Sequence, residues 1–187
     1  MGDGCPHSFT TSSLASQLLA SGRTFVGWSE GLPSAGSTLC GSQLYARRHA
    51  PWTNFSNLPQ AQVGRPLSQL PTDHTRLPTV SWVIPDVCHD MHNCAVATGD
   101  AWAAQQLGGY ARWAQTHNSL LVVTFDEDDA EGGSNQISTI LSGAHLVAGK
   151  NGQSVDHYGL LRTIESIYGL APLGKAARSQ PLTGIFR

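Results

Sequence analysis

The chain has 187 residues, of which 13% are charged, and its formal net charge at pH 7 is −2. This length fits one domain with a sizeable core. The sparse, nearly balanced charge gives neither the basic surface of a nucleic-acid-binding protein nor a polybasic membrane patch. No apolar run approaches the ~20 residues that a transmembrane helix needs. The 20 glycines and 10 prolines predict long ordered loops rather than a helical bundle.

The amino-terminal half is predicted to contain one short helix and two strands. Residues 14–20 follow a serine that can cap a helix, and a glycine two residues later ends it. Apolar and aromatic residues over 24–28 and 79–84 predict strands. Between them, residues 34–77 are predicted to be mostly loop, which is longer than a structureless connection in a compact domain usually is. We therefore expect this long loop to be functional and to line a site.

The carboxyl-terminal half is predicted to alternate helices and strands. A helix over residues 99–117, capped by Thr98, carries apolar side chains at helical spacing. Residues 119–125 are mostly branched or large and apolar, which is typical of a strand buried on both faces. A further strand over 137–141 is a candidate antiparallel partner for it. Residues 157–168 form an amphipathic helix with a glycine at its end.

Two strands and a helix of this chain have the lengths of a strand–helix–strand crossover. Residues 79–84, 99–117 and 119–125 would form it, and the strands of such a unit are parallel. Ligands of open α/β sheets bind at the carboxyl edge of the strands, where the loops after both strands would meet. Those loops carry Asp86, His89, Asp90 and His92 after the first strand, and Asp126, Glu127, Asp128 and Asp129 after the second. We therefore expect a functional site at this edge.

Carboxylates and imidazoles at one sheet edge favour a divalent cation. Carboxylate oxygens suit Mg²⁺, Ca²⁺ or Mn²⁺, and mixed His and carboxylate sets also suit Zn²⁺ or Fe. A cation that neutralises phosphoryl oxygens, beside histidines that donate to them or to the leaving group, is a common arrangement for phosphoester hydrolysis. The alternative is a polar loop that caps a buried strand and leaves its acids solvated.

The four cysteines indicate an oxidising compartment. They include no Cys-x-x-Cys pair, which argues against a zinc ribbon or a thioredoxin site. An even number of cysteines with few lysines is typical of secreted proteins. We predict the pairs Cys5–Cys40 and Cys88–Cys94, because the second closes a short loop; four reduced, buried cysteines are the alternative. We expect a secreted, periplasmic or cell-surface protein whose export segment lies outside this sequence, since residues 1–11 lack signal-peptide features.

Seven short motifs carry a family resemblance over nearly the whole chain. In order they are Phe25-Val-Gly-Trp-Ser-Glu-Gly-Leu-Pro33, Tyr45-Ala-Arg-Arg-His-Ala-Pro51, Val83-Ile-Pro-Asp86 with Asp90-Met-His92, Gly99-Asp-Ala-Trp102, Val123-Thr-Phe-Asp-Glu127, Asn135-Gln-Ile137 and His157-Tyr-Gly-Leu-Leu-Arg-Thr-Ile-Glu165. With these motifs in this order, the chain resembles the phosphoesterase family that includes bacterial phospholipases C and acid phosphatases, within the alkaline phosphatase superfamily.

The resemblance implies a fold and a set of site residues. The implied fold is α/β, of alkaline-phosphatase type, with a mostly parallel sheet and helices on both faces. Asp126 and Glu127 match the paired acids that hold a divalent metal ion. The matching catalytic positions are His49, Asp90, His92 and His157, and Arg47 and Arg48 could hold an anion. For His49 and His157 the alternatives are a structural loop histidine and a helix-start residue.

The resemblance also implies parts that this sequence does not contain. The family domain begins with a strand, a Glu-Asn motif that supplies metal ligands, and a Ser or Thr nucleophile. Residues 1–5 match a point inside that domain, so we expect residues 1–187 to be the carboxyl-terminal portion of one phosphoesterase domain, truncated at its amino terminus. Two functions follow as alternatives. The first is metal-assisted hydrolysis of phosphomonoesters or phospholipid head groups, and the second is a non-catalytic interaction protein that keeps the fold.

Overall fold

The computed structural model describes residues 4–128 and 133–187, so Asp129 lies outside the described residues. The chain divides into two compact units, Met1–Ala103 and Ala104–Arg187. The first unit contains the helices α1 (Leu14–Ala20) and α2 (Gln60–Val63), and the strands β1 (Phe25–Ser29), β2 (Gly41–Ser42), β3 (Tyr45–Ala46), β4 (Gly64–Pro66) and β5 (Val80–Ile84). In the described part of the chain, no helix has the length and apolar character needed to cross a membrane.

Helix α1 begins and ends as its sequence predicts. The Ser13 hydroxyl accepts a hydrogen bond from the Ser16 N–H, and the Ser16 hydroxyl accepts one from the Ser13 N–H, which forms a capping box. Leu14 and Leu18 are buried on the inner face of the helix. The helix is thereby fixed at its start by polar groups and along its length by the core.

A three-stranded parallel sheet in the order β4-β1-β5 forms the centre of the first unit. Strand β1 pairs with β5 along its full length, with Trp28 opposite Val83, and its Trp28 indole donates a hydrogen bond to Ser81 Oγ. Phe25 and Trp28 are buried. Because β1 and β5 are parallel, the chain leaves both strands at the same edge of the sheet. The chain is therefore α/β with a parallel sheet, as its sequence predicts.

The segment 34–77 is not uniformly loop. It holds β2, β3, α2 and short 3-10 helices, and its β4 pairs in parallel with β1. Strand β4 was not predicted, because its three residues include a glycine and a proline and show no alternation of apolar and polar residues. Backbone pairing with β1, rather than local preference, produces the strand.

Helix α3 (Val96–Ala114) runs from the first unit into the second, whose other elements are β6 (Leu120–Thr124), β7 (Thr139–Gly143) and α4 (His157–Tyr168). Helix α3 begins three residues earlier than predicted, so Thr98 lies within its first turn. Helix α4 has the predicted bounds. The Asp156 carboxylate accepts a hydrogen bond from the Gly159 N–H, and Gly169, with φ of 65°, ends the helix in the left-handed conformation.

The predicted crossover between residues 79–84 and 119–125 is wrong. In the described residues, β5 belongs to the parallel sheet, whereas β6 pairs antiparallel with β7 in a separate two-stranded sheet. The prediction of an antiparallel partner for β6 is confirmed, with Val122 opposite Leu141. The lengths of the three elements fit a crossover, but length does not determine which strand edge accepts the hydrogen bonds of β6.

Both predicted disulfides are present. Cys5 is bonded to Cys40 and Cys88 to Cys94, with Cα–Cα distances of 5.7 and 4.7 Å. The chain has no further cysteine. The first bridge joins the amino-terminal segment to the residues before β2, and the second closes the loop that follows β5.

Candidate functional site

The loops after β1 and β5 bring three chemically active side chains together. The Glu30 carboxylate oxygen Oε2 lies 2.8 Å from His89 Nδ1 and accepts a hydrogen bond from the Asp86 N–H at 3.1 Å. His89 Nδ1 is also 3.3 Å from Asp86 Oδ1. The ligand atoms of these three residues all lie within 4.8 Å of one another. We call Glu30, Asp86 and His89 the sheet-edge triad.

Hydrogen bonds and a disulfide hold the loop after β5 in a tight turn. Asp86 Oδ1 accepts from the backbone N–H groups of Cys88 at 2.9 Å and His89 at 3.0 Å, as in an Asx turn. The Asp90 N–H donates to the Asp86 carbonyl. Together with the Cys88–Cys94 bridge, these bonds fix the positions of the side chains that the loop carries.

Helix α3 supports this loop from one side. Gly99 is buried in the first turns of the helix, and a Cβ there would lie 2.6 Å from the Met91 side chain and 2.7 Å from the His89 carbonyl oxygen. Glycine thus allows the helix backbone to approach the loop closely. The His89 ring also stacks against Trp102 of α3 with a centroid distance of 6.0 Å.

A second group of side chains, the histidine cluster, consists of His49, Asp90 and His92. His49 Nδ1 lies 3.0 Å from Asp90 Oδ2, so the imidazole donates its proton to the carboxylate. The other Asp90 oxygen accepts from the His92 N–H at 2.8 Å. The His49 and His92 rings lie 6.4 Å apart, and the His92 Nδ1–H donates to Asn93 Oδ1. One carboxylate thus fixes one imidazole and the backbone that presents the other.

The position of His49 follows from a short 3-10 helix over Arg47–His49, which comes directly after β3. Arg47 is buried, and its guanidinium donates to Thr53 Oγ1 and to the backbone carbonyls of Thr38, Thr53 and His7. Arg47 thereby joins three segments of the first unit, while the Arg48 side chain is exposed. Anion binding by Arg47 and Arg48 stays a prediction.

Arg47 also acts on the neighbouring tyrosine. Burial raises the pKa of Tyr45 to about 12, and the positive charge of Arg47 opposes that rise. The Tyr45 hydroxyl is buried and has no hydrogen-bond partner in the described residues. The phenol therefore stays neutral over the physiological pH range, and it serves the core rather than acid–base chemistry.

The remaining predicted site residues lie in the second unit. The side chains of Asp126 and Glu127 are exposed at the end of β6. His157, at the first position of α4, donates from Nε2 to the Asp126 carbonyl oxygen at 2.8 Å. Glu127, with Asp128 and Asn135, lines a shallow pocket of about 300 Å³. Metal binding by Asp126 and Glu127, and catalysis by His157, stay predictions.

Asp86 and His89 lie on a loop that the sequence placed at the expected site, although no role was predicted for either side chain. Glu30 was predicted only as part of a family motif, and we expected no chemical role for it. Glu30 is 59 positions from His89 in the sequence, so only the pairing of β1 with β5 brings them together.

Comparisons with known proteins identify the family of the chain. Residues 3–171 match the model of the Phosphoesterase family. The chain is 48% identical over 175 residues to a phosphatidylinositol-3-phosphatase of Mycobacterium tuberculosis, a match covering 92% of this chain and 58% of that protein. It is 25% identical over 164 residues to a phosphate-repressible acid phosphatase of Penicillium chrysogenum, covering 79% of this chain and 40% of that protein.

The chain thus spans about half the length of these curated relatives. No solved structure gives a significant match. The family match crosses both compact units, and it includes the sheet-edge triad, the histidine cluster and the acids after β6. The chain belongs to the Phosphoesterase family.

Proposed function

We propose that this chain supplies the phosphoryl-binding and proton-transfer residues of a phosphate ester hydrolase. The observation that carries the proposal is the 3.0 Å contact between His49 Nδ1 and Asp90 Oδ2, with His92 on the same loop as Asp90. An imidazole oriented by a carboxylate is a common general acid or base. Family membership and phosphatase-named relatives support the same reaction class.

His49 is the proposed proton donor to the leaving-group oxygen, whose bond to phosphorus breaks as an attacking hydroxyl group or water forms a new bond to phosphorus. Its Nδ1 proton is directed at Asp90, which leaves Nε2 as the nitrogen that exchanges a proton with substrate. The Asp90 carboxylate stabilises the imidazolium that forms when Nε2 takes up a proton. The side chains of His49 and Asp90 are 24% and 19% exposed, so a substrate in solution can reach them.

His92 is the proposed donor to a phosphoryl oxygen. Its Nδ1 donates to Asn93, so Nε2 is the nitrogen left for substrate, and Nε2 donates a hydrogen bond when the ring is an imidazolium. The two imidazole rings are 6.4 Å apart, which allows both to contact the oxygens of one phosphoryl group. Charge that spreads over these oxygens in the transition state is stabilised by such donors.

We propose that Asp126 and Glu127 hold a divalent metal ion, a role that the family resemblance supports. Both side chains are exposed carboxylates on adjacent residues, a donor type that suits hard cations. A bound divalent ion would neutralise charge on the phosphoryl oxygens. His157 would hold the Asp126 backbone in place through its hydrogen bond to the carbonyl oxygen.

The proposed substrates are phosphate monoesters, with phosphorylated inositol lipids first among them. The relative that shares 48% identity is named a phosphatidylinositol-3-phosphatase, and the less similar relative is named an acid phosphatase. We also propose a secreted or periplasmic location, which the two disulfides favour.

The test is hydrolysis of p-nitrophenyl phosphate and of a short-chain phosphatidylinositol 3-phosphate by the folded chain, with and without divalent metal. Replacing a general acid usually lowers kcat by about 10²- to 10⁴-fold. His49→Gln should show such a loss and Asp90→Asn a smaller one. His117→Gln, on an exposed histidine, is the matched control and should keep full activity. Absence of turnover in a folded wild-type chain would contradict the enzymatic proposal and favour a non-catalytic interaction protein.

A further inference from the structure

We infer that the sheet-edge triad is a binding site for a divalent transition-metal ion of the zinc class. One imidazole nitrogen and two carboxylate oxygens converge there from the ends of two parallel strands. The triad includes neither Asp126 nor Glu127, and its metal binding does not depend on the proposed hydrolysis.

The distances in the triad are close to those around a tetrahedral ion. Bonds of about 2.0–2.1 Å to nitrogen and oxygen, at tetrahedral angles, hold neighbouring ligand atoms about 3.3 Å apart. His89 Nδ1 lies 2.8 Å from Glu30 Oε2 and 3.3 Å from Asp86 Oδ1. Replacing the proton that His89 shares with the carboxylates by a metal ion therefore requires only a small outward movement of the side chains.

The charges around the triad favour a cation. The carboxylates of Glu30 and Asp86 lie within 4.8 Å of each other, and the Asp86 side chain is only 10% exposed. In the described residues, neither carboxylate forms an ion pair with a lysine or an arginine, and His89 is their single basic neighbour. A protonated imidazole balances one of two negative charges, whereas a divalent ion balances both. Partly buried charges of this kind are normally paired or bound to metal.

The ligands are already oriented before any ion binds. Two backbone N–H groups hold Asp86 Oδ1, the Asp86 N–H holds Glu30 Oε2, and Trp102 stacks on the His89 ring. Such supporting contacts strengthen metal sites, and removing one typically lowers metal affinity by about 10- to 100-fold. The Cys88–Cys94 bridge limits the motion of the same loop.

The donor set selects the class of metal. One nitrogen and two oxygens suit Zn²⁺ and its neighbours in the first transition row, whereas Ca²⁺ takes six to eight oxygen ligands. Three protein ligands leave one position of a tetrahedral ion open to water or to an anion. By contrast, no third acid, histidine or cysteine converges on Asp126 and Glu127 among the described residues of the second unit.

The test is metal binding by the chelator-treated chain, measured by calorimetric titration with Zn²⁺ and by the visible absorption of Co²⁺. Tetrahedral coordination should give an intense Co²⁺ spectrum, with one ion bound at the triad. His89→Gln and Glu30→Gln should each weaken Zn²⁺ binding by about 100-fold or more and abolish that spectrum. Asp86→Asn is a further variant in which the amide oxygen still accepts the loop hydrogen bonds, so the turn can form without the negative charge.

Asp126→Asn and Glu127→Gln are the matched controls, and they should leave the Co²⁺ spectrum unchanged. Circular dichroism in the near ultraviolet would establish that each variant is folded. Zn²⁺ affinity that is unaffected in folded His89→Gln, or that disappears in Asp126→Asn instead, would overturn the assignment. No step of the experiment measures hydrolysis, so its outcome is independent of the proposed enzymatic function.

Discussion

The loops that follow β5 and β6, here the first and the second loop, have similar sequences at their start, but their acidic side chains have different surroundings. Each comes after a five-residue, mostly apolar strand, and each has a carboxylate at its second position, Asp86 or Asp126. Asp86 is buried, its N–H donates to the Glu30 carboxylate, and its own carboxylate lies 3.3 Å from His89 Nδ1, whereas Asp126 and Glu127 are exposed. Acids at the end of an apolar, half-buried strand are therefore not enough to make a convergent site.

The direction of the neighbouring strand explains the difference. Strand β1 is parallel to β5, so Glu30 after β1 and Asp86 after β5 leave the sheet at the same edge and meet. Strand β7 is antiparallel to β6, and Thr139 at its start lies opposite Thr124 at the end of β6. A parallel neighbour brings a second loop to the carboxyl edge of a strand, and an antiparallel neighbour within the pair does not.

The largest expected effect that distinguishes the two loops is on stability. Asp86→Ala removes a carboxylate that accepts two backbone N–H bonds, and such bonds to charged groups contribute about 1.5–3 kcal/mol each. We expect the metal-free variant to lose about 3 kcal/mol of unfolding free energy in urea denaturation. Asp126→Ala, at an exposed side chain, should change it by less than about 0.5 kcal/mol. Equal losses of unfolding free energy in the two variants would show that the two loops do not differ in this way.

The next effect concerns the disulfide that closes only the first loop. Cys88 and Cys94 are 6 positions apart, and closing so short a loop is expected to stabilise the fold by about 2 kcal/mol. The double variant Cys88→Ser with Cys94→Ser should lose about that much unfolding free energy. The loss should be smaller if the Asx turn alone holds the loop in its conformation. Thermal unfolding under non-reducing conditions measures it, and an unchanged melting temperature would show that the turn is sufficient.

Much of the fold could be predicted because its signals are local. The Ser13 cap, the Gly169 terminator and the apolar runs of β5 and β6 each depend on a few adjacent residues. The short spacing of Cys88 and Cys94 likewise favoured their pairing. Such features fix where α1, α4, β5 and β6 begin and end, and each observed boundary lies within one residue of its prediction.

The long-range parts of the fold could not be predicted in the same way. Strand β4 exists because β1 offers it a backbone edge, and β6 pairs with β7 rather than completing a crossover. Likewise, no local pattern relates Glu30 to His89, which are 59 positions apart. The contact between His49 and Asp90 also depends on a 3-10 helix that no hydrophobic periodicity indicates. Which side chains converge was therefore decided by strand pairing.

A smaller effect is expected at the second loop, where a hydrogen bond from His157 holds the backbone of Asp126. The His157 Nε2–H donates to the Asp126 carbonyl oxygen, and an exposed neutral hydrogen bond contributes about 1 kcal/mol. His157→Ala should lose that amount in urea denaturation and should accelerate amide hydrogen exchange around residues 126–128. Tyr158→Ala, at the next and also exposed position of α4, is the control and should leave that exchange unchanged. Unaltered exchange in His157→Ala would mean that the loop is held by other contacts.

The smallest expected effect is a change of unfolding free energy in alkaline solution. It arises from Tyr45, a buried residue near the first loop, whereas the acids of the second loop are exposed. Leu44 accepts a hydrogen bond from the Val87 N–H, so the strand that carries Tyr45 is connected to the loop after β5. Burial raises the pKa of Tyr45 to about 12, compared with about 10 in an unfolded chain. The unfolded state therefore loses this proton first, and the unfolding free energy falls as pH rises from about 10 to about 12.

Tyr45→Phe keeps the ring and removes the titration, so the difference in unfolding free energy between wild type and this variant should change over that pH interval and stay constant below it. Parallel urea denaturation curves at several pH values would measure the difference, and one that is independent of pH would show that the phenol titrates equally in both states.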